Sequence, residues 1–377
     1  MKRVKTAVLV PGMVMAKDVH NASDALVVAK DTVLNDEAIT KLTFHSIFSV
    51  YVTDDSVDLI GSVVPKAPEA GEPSGEQPAP AVMESAVESQ VVNTPEFKRF
   101  AEAYEKEIDD VKDTFNQVIS LQKKRPPIAD LCKQATSMIE DGQSTYAIFD
   151  MLHNIRSFDD STFNHCLNVA LICNLFADWM HMSAYEKETA TVAGLMHDIG
   201  KLKVPEELIK KAGKLTDEEY EIVKSHPVEG YKILFEAKFD MNIQNAALMH
   251  HERSDGSGYP MGKKRDEIDK YAKMVAIADV YDAMTAARVY RGAQCPFKVI
   301  EMFEREGYTM FDPEYLLVFL ENIVQTYMRS TAVLSDGRKG TIVMMNKQKL
   351  SKPVLICGNQ VVNLMECPDV KIDKIII

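Results

Sequence analysis

Short apolar runs rich in β-branched residues open the chain. Over residues 5–52 the runs AVLV, ALVVA and IFSVYV are separated by turn residues such as Pro11, Asn21 and Asp31. Apolar runs of this length between turn residues are typical of β-strands. The pattern predicts a small β-rich accessory or regulatory module over residues 1–58.

Residues 59–94 break this pattern. They are rich in Pro, Ala, Glu, Gly and Ser, and they contain no aromatic side chain. Such a composition cannot bury enough apolar surface to offset the entropy lost on ordering. The segment is therefore expected to be a flexible linker.

After the linker, apolar residues recur every seven positions in two offset registers, with Glu, Asp and Lys between them. The residues of these registers are Phe97, Tyr104, Val111 and Val118, and Ala101, Ile108 and Phe115. The periodicity predicts an amphipathic connecting helix over residues 95–127. Its apolar stripe has two candidate partners, the domain that follows in the same chain or a second chain in a homodimer, and the pattern favours neither.

Helical periodicity continues over residues 128–328, where Ser183 and Thr216 each begin an S/T-x-x-E capping box that marks a helix start. Over residues 329–377 the pattern returns to short alternating segments such as GTIVMM and PVLICG. The expected fold class is mainly α. A helical domain is expected between the β-rich N-terminal module and a small β C-terminal segment.

The composition narrows the classes of function. A chain of 377 residues, 46% of them hydrophobic, is long enough for two or three folding units. Its net charge of -13 argues against binding of long nucleic acid, because such proteins carry a basic face. No apolar run is long enough to span a bilayer, and Pro11 and Lys17 interrupt the N-terminal apolar stretch too early for a signal peptide. A cytoplasmic location without a membrane partner is expected.

The six cysteines lie far apart and form no C-x-x-C pair. This spacing suits reduced, mostly buried thiols, and it argues against a cysteine-based structural zinc site.

Seven of the nine histidines lie in the helical region, and five of these are candidate functional residues: His165, His197, His226, His250 and His251. The pair His197-Asp198 precedes Ile199-Gly200, where a buried helix is expected to end at the glycine. A buried carboxylate is costly unless a cation neutralises it. Imidazole and carboxylate ligands together favour Fe, Mn, Zn or Ni over Mg or Ca alone.

Two further segments add to this chemistry. His251-Glu252 runs into RSDGSGYP, whose glycines and proline indicate a tight loop over the site. Asp279 lies in the apolar pattern AKMVAIADVYDAMT, where a metal-ligand role explains a carboxylate better than a surface role. Asp282 fits either a partner of a ligand or an ordinary helix ion pair, and the ion pair is favoured.

Together these motifs resemble one family. HDIGK, the HP of His226-Pro227, HHERSDGSGYP, ADVYDAMT and RVYR stand in the order and spacing of HD-GYP domains, a subgroup of the HD phosphohydrolase superfamily. The resemblance runs from about His165 to Arg291. Weaker similarities to bacterial HD-GYP proteins flank it, around LVPGMVMAKDV and SDGRKGTIV.

The resemblance implies a phosphodiesterase in which a metal-activated hydroxide attacks a cyclic dinucleotide. It implies seven metal ligands: His165, His197, Asp198, His226, His250, His251 and Asp279. Asp198 is the expected bridge between the metals, and Lys201 is expected to stabilise charge in the transition state. Two transition-metal ions are expected, most readily Fe or Mn, with Ni or Zn as alternatives.

The resemblance also implies substrate contacts from six residues: Arg253, Asp255, Gly256, Tyr259, Arg288 and Arg291. Three positions depart from the family pattern. Ser161 stands where members with a third metal have Glu, which argues against a third metal here. Val289 replaces the usual Pro, and a Gly262-Lys263-Lys264-Arg265 segment replaces the usual Gly-Leu-x-Gly turn and adds positive charge at the loop's edge.

The expected reaction is hydrolysis of cyclic di-GMP to pGpG, to GMP, or to both. The alternatives are hydrolysis of 3′3′-cyclic GMP-AMP within the same family and a sensor that binds a cyclic dinucleotide without cleaving it. The complete ligand set and Lys201 weigh against the sensor, while the base preference stays open.

Overall fold

The computed structural model describes most of the chain, namely residues 1–21, 25–45, 47, 49–57, 94–120, 126–139, 145–155, 162–211, 216–286 and 294–376. The predicted linker over residues 59–94 lies outside this part except for its last residue. The architecture is mainly helical, with small β units before and after the helices, which confirms the predicted fold class.

The N-terminal unit contains four short strands and one helix: β1 (Lys2–Lys5), β2 (Val19–His20), β3 (Leu26–Val28), α1 (Asp36–Phe44) and β4 (Ser49–Val52). Strand β1 pairs antiparallel with β4, and β2 pairs antiparallel with β3. Buried residues such as Met13, Leu34 and Leu42 give this unit a core of its own. We call this unit the N-terminal module.

Two features of the N-terminal module differ from the sequence prediction. The AVLV run forms a 3₁₀ turn over Thr6–Val8 instead of a strand. Helix α1 was not predicted, although its local signals are clear: the Asn35 side chain accepts a hydrogen bond from the Ala38 amide, and acidic residues occupy the first turn.

Helix α2 (Pro95–Ser120) follows, and its apolar stripe is buried against the chain's own helical core. Of the two partners considered for this stripe, the structure therefore shows the domain of the same chain. Tyr104 also donates a hydrogen bond of 2.7 Å to the Asn168 side chain in the neighbouring helix.

The helical domain is built from helices that pack around one core. They are α3 (Ile128–Ala135), α4 (Thr145–Ile155), α5 (Thr162–Trp179), α6 (Ala184–Met196), α7 (Glu206–Lys210), α8 (Asp217–Lys224), α9 (His226–Glu236), α10 (Met241–Met249), α11 (Lys270–Thr285), α12 (Pro296–Met302), α13 (Tyr308–Met310) and α14 (Pro313–Ile323). A π-helical segment, Phe303–Gly307, joins α12 to α13. The predicted capping boxes at Ser183 and Thr216 are both present.

The chain continues into a five-stranded antiparallel sheet in the order β8-β7-β6-β5-β9. Its strands are β5 (Thr331–Leu334), β6 (Lys339–Met344), β7 (Val354–Cys357), β8 (Gln360–Asn363) and β9 (Ile372–Ile376). One face of the sheet, including Ala332, Ile342 and Leu355, joins the core of the helical domain. All six cysteines are free thiols. Within the described residues, no helix has both the length and the apolar character that crossing a membrane requires.

The N-terminal module docks on the helical domain at two places. On one side, Arg3 pairs with Asp217 at the start of α8, and the Lys5 ammonium donates to the carbonyl of Ile209 at 2.9 Å. On the other side, α1 contacts the π-helical segment, where His45 Nε2 lies 2.6 Å from Glu306 Oε2. The module therefore contacts segments that precede His226 and follow Asp279 in the chain.

Two helical glycines provide a paired test of this packing. A Cβ at Gly194 would lie 2.9 Å from the Val169 carbonyl oxygen of α5, whereas a Cβ at Gly230 would meet its neighbours at 3.4 Å or more. We expect Gly194→Ala to lower the free energy of unfolding by about 1–3 kcal/mol, because main-chain atoms cannot yield easily. Gly230→Ala should leave the free energy of unfolding unchanged or raise it by up to about 1 kcal/mol, because alanine has the higher helix propensity. Urea unfolding measures both, and equal stabilities of the two variants would contradict this packing.

Candidate metal centre

The predicted ligands come from helices that are distant in sequence and meet at one point. His165 lies in the first turns of α5, His197 directly follows α6, and His226 begins α9. His250 directly follows α10, and Asp279 lies in the middle of α11. Three of these residues lie at helix ends, and the helix ends meet at the centre of the cluster. Except for the partly exposed His165, these side chains are buried.

Asp198 lies at the centre of the cluster, and its two carboxylate oxygens face different groups. Oδ1 lies 3.2 Å from His226 Nε2 and 3.7 Å from His250 Nε2. Oδ2 lies 3.3 Å from His197 Nε2 and 3.8 Å from His165 Nε2. The carboxylate thus separates two sets of imidazoles.

Two groups of potential ligands lie on either side of this carboxylate and share no residue. One group is His226, His250 and His251, and the other is His165, His197 and Asp279; within each group the donor atoms lie within 4.8 Å of one another. Nitrogen ligands about 2.0–2.1 Å from one ion lie roughly 3 Å apart, and His226 Nε2 lies 3.4 Å from His250 Nε2. A third possible group, formed by His197, Asp198 and His250, joins the first two, so Asp198 lies between them.

Main-chain carbonyls orient three of these imidazoles. The Nδ1 atoms of His197, His226 and His250 donate to the carbonyls of Gly194, Val223 and Ala247 at 2.7, 2.8 and 2.8 Å. A carbonyl only accepts, so the proton of each neutral ring lies on Nδ1 and the lone pair of Nε2 points to the centre. This is how proteins commonly prepare an imidazole for a metal ion.

His165 is oriented by a carboxylate instead. Its Nδ1 lies 2.8 Å from Asp282 Oδ2, and its Nε2 lies 3.0 Å from Asp279 Oδ1. Burial opposes a charge on His165, but hydrogen bonds to Asp279 and Asp282 outweigh it and raise the pKa to about 9. Asp282 is buried and lies against His165, so the structure favours its role as the partner of a candidate ligand.

The charges of the centre favour a cation. Burial alone would raise the pKa of Asp198, yet Lys201 and His197 outweigh it and hold the pKa well below its usual range. Lys201 Nζ lies 2.5 Å from Asp198 Oδ2. Burial and the nearby imidazoles hold the pKa of His250 and of His251 well below the usual range, so both rings are neutral, the form that ligates a metal.

The residues present fit a metal ion. Among the residues that the structure describes, His197 Nε2 and Asp198 Oδ1 are buried without a hydrogen bond. Buried polar atoms normally have a partner. Clustered imidazole nitrogens and carboxylate oxygens are ligands of Fe, Mn, Zn or Ni, and these two atoms face the two ligand groups. Metal-binding imidazoles usually donate their other ring N–H to a carbonyl or a carboxylate. Here the carbonyls of Gly194, Val223 and Ala247 and the carboxylate of Asp282 are the partners of the imidazoles.

Gly200 has a different role from the one predicted. It lies inside a 3₁₀ turn, Ile199–Lys203, and does not end helix α6 in a left-handed conformation. A Cβ at this position would lie 2.0 Å from the His226 carbonyl oxygen and 2.4 Å from the Gly230 amide nitrogen. Glycine is needed here because the main chain of α9 approaches this closely, which brings His226 to Asp198.

The side chain of Glu252, at the start of the predicted tight loop after His251, accepts hydrogen bonds that hold the loop in place. Both oxygens of Glu252 accept from main-chain amides, of Met261 and Lys263, at 2.8 Å each. A Cβ at Gly258 would lie 2.4 Å from both the Arg253 nitrogen and the Glu252 Cα, so only glycine allows the loop to fold back this closely.

The structure places four of the predicted substrate residues in this loop. Tyr259 stacks on His251 with ring centroids 4.7 Å apart. Asp255 is exposed and accepts a hydrogen bond from the Ser257 amide, and Gly256 has a φ of 84°. Arg253 is different: it is 2% exposed, and its Nη1 donates to the carbonyls of His250 and Glu252. Its guanidinium supports the main chain and does not face the surface.

Several predicted residues lie outside the described part of the chain. These are Arg288 and Arg291, together with Ser161 and Val289. The basic segment at the loop's edge is described. There, Arg265 Nε lies 3.0 Å from the buried carboxylate of Asp312, so this arginine anchors the loop's end to α14.

Comparisons with known proteins agree with the motifs. Residues 147–315 match the model of the HD domain. A cyclic di-GMP phosphodiesterase of Pseudomonas aeruginosa is 32% identical over 54% of this chain and 49% of its own. A 3′3′-cGAMP-specific phosphodiesterase of Vibrio cholerae is 36% identical over 45% of this chain and 40% of its own. A cyclic di-GMP phosphodiesterase of Thermotoga maritima is 32% identical over 56% of this chain and 58% of its own.

The chain thus spans about half the length of the curated relatives that it matches. Residues 147–315 match the HD domain family, and the motifs in this region resemble those of its HD-GYP group.

The contact between Asp282 and His165 can be tested by metal binding. Asp282→Asn keeps the shape of the side chain but replaces the anionic acceptor of the His165 Nδ1 proton. We expect metal affinity to fall about 10–100-fold, as is typical when a ligand's orienting partner is lost. Titration with Mn²⁺ measures the dissociation constant. Asp266→Asn, at an exposed position, is the control, and an unchanged affinity in Asp282→Asn would show that Asp282 does not tune the centre.

Proposed function

We propose that this chain is a metal-dependent phosphodiesterase that hydrolyses cyclic di-GMP to pGpG, to GMP, or to both. The observation that supports this best is the position of Asp198 between two groups of ligands, with Lys201 on one of its oxygens. Two adjacent cation positions suit a phosphodiester, whose oxygens are negatively charged in the substrate and gain charge in the transition state.

Two metal ions about 3.5–4 Å apart would lower the pKa of a shared water and neutralise charge on both the attacking and the leaving oxygen. Fe and Mn suit this donor set best, with Ni and Zn as alternatives. Two separate groups of three potential ligands lie beside Asp198, and this supports our proposal of two ions.

The chain's own residues then have separate tasks. The tethered rings of His197, His226 and His250 keep their Nε2 atoms in place without reorganisation. The Lys201 ammonium is held at Asp198, where it can donate a hydrogen bond to a phosphate oxygen. Burial opposes its charge, but Asp198 outweighs that effect and raises the pKa of Lys201, so it is a cation at neutral pH.

The relatives support both a cyclic di-GMP and a cyclic GMP-AMP substrate, because enzymes named for each are similar to this chain at comparable identity. Cyclic di-GMP is our first choice, since two of the three relatives described above carry that name. A non-hydrolysing sensor is the competing class. It is disfavoured because it would not need a partly buried lysine held against the central carboxylate of Asp198.

Turnover separates these functions. Protein loaded with Mn²⁺ or Fe²⁺ should convert cyclic di-GMP to pGpG or GMP, as resolved by anion-exchange chromatography, and 3′3′-cyclic GMP-AMP is assayed in parallel. Lys201→Met should keep its metals but lose about 10²–10³-fold in kcat, the usual effect of removing one transition-state donor. Asp198→Asn should lose both metal and turnover, while Asp178→Asn on the surface of α5 should behave like wild type.

Tight binding of the dinucleotide without product under every metal would contradict hydrolysis and support the sensor. Faster turnover of cyclic GMP-AMP would keep the reaction class and change the substrate.

A further inference from the structure

Phe44, the last residue of α1, does not belong to the core of the N-terminal module. It is fully buried in the core of the helical domain, while the neighbouring residues Ile39 and Leu42 face the module's own core. Its ring packs edge-on against Phe303 and Phe311, with centroids 5.1 and 5.7 Å apart. The module thus contributes one aromatic ring to the interior of the other domain.

The same aromatic cluster supports the loop of the metal centre. The guanidinium carbon of Arg253 lies 4.9 Å from the centroid of the Phe311 ring. The Ser254 amide donates to the Met310 carbonyl at 2.8 Å. The chain after His251 therefore packs against Met310 and Phe311, and the Phe311 ring packs against Phe44.

Arg253 connects this support to the ligands. Its Nη1 donates to the His250 carbonyl at 3.1 Å and to the Glu252 carbonyl at 2.8 Å. These two carbonyls lie on either side of His251, so the guanidinium braces the main chain that carries both histidines. A cationic donor forms stronger hydrogen bonds than a neutral one, and burial strengthens them further.

Polar contacts at the rim hold α1 in place beside Phe44. His45 lies 2.6 Å from Glu306, and Arg305 Nη1 lies 2.9 Å from Glu37 Oε1. Exposed pairs such as Arg305–Glu37 contribute little energy by themselves. Phe44 provides a fully buried apolar contact between the module and this side of the centre.

We propose that Phe44 is a positioning residue of the metal centre. It supports Phe311, which supports Arg253, which in turn holds the main chain around His251. Through Phe44, the N-terminal module then contributes to the metal affinity of the centre. This inference rests on the metal-binding part of the proposed function and is independent of the substrate.

Metal titration without substrate tests the proposal on the full chain. Co²⁺ is the probe, because its visible absorption reports the coordination geometry as well as the dissociation constant. We expect Phe44→Ala to weaken Co²⁺ binding about tenfold, the lower end of the range for loss of a ligand's support, and to alter the spectrum. Phe44→Leu, which refills most of the space, should recover part of the affinity.

Two controls separate positioning from loss of stability. Phe149→Ala opens a cavity in the same core beside Trp179, and it should lower the unfolding temperature while leaving the Co²⁺ affinity and spectrum unchanged. Glu37→Gln removes a rim contact without touching Phe44, and it should leave the affinity unchanged.

Each outcome is decisive. Wild-type affinity and spectrum in Phe44→Ala would overturn the proposal, and so would equal weakening in Phe149→Ala, since stability alone would then explain the effect. If Phe44→Ala does not fold, the affinity of Phe44→Leu relative to wild type decides in the same way. A wild-type chain that binds no Co²⁺ would overturn both this inference and the proposed function, whereas binding without turnover would leave this inference standing.

Discussion

The burial of one charged carboxylate, that of Asp198, is the constraint on which the arrangement of the centre depends. Asp198 is 1% exposed and lies among four imidazoles, with a second buried carboxylate, Asp279, nearby. Removing an ion from water costs several kcal/mol even after the protein relaxes, so such a group persists only with strong compensation. Lys201 offsets one negative charge. Cations held by the two ligand groups would offset the remaining charge, and the helical domain is the scaffold that holds those ligands in place.

The candidate ligands are oriented mainly by groups at the ends of helices. A helix end offers main-chain carbonyls that lack partners within the helix, and the carbonyls of Gly194, Val223 and Ala247 use that capacity to orient imidazoles. Close approach of main chains does the rest. At Gly200 and Gly258 there is no room for a side chain, because two backbone segments must touch for the ligands to converge.

The helical class is predicted from the sequence because periodic apolar residues are visible in one dimension, and the candidate ligands chosen from the sequence lie together in the structure. Prediction from the sequence fails where the decisive contact is between distant segments. The partner of Asp282 is 117 residues away in the chain, and nothing near Gly200 reveals that α9 crosses it. The sequence shows that Arg253 lies in the loop, but it does not show that the guanidinium is buried against the main chain. Helix α1 had readable signals in Asn35 and the acidic first turn, and it was missed because the surrounding β-branched runs dominated the pattern.

The burial of Phe44 has a consequence for what counts as one cooperative unit. The family match begins at residue 147, far beyond the N-terminal module, so sequence similarity alone would place an independent domain there. A chain cut after the linker would lose the Phe44 ring that packs against Phe303 and Phe311. We therefore expect the cooperative folding unit to extend back to α1, so that its limits differ from those of the matched family domain.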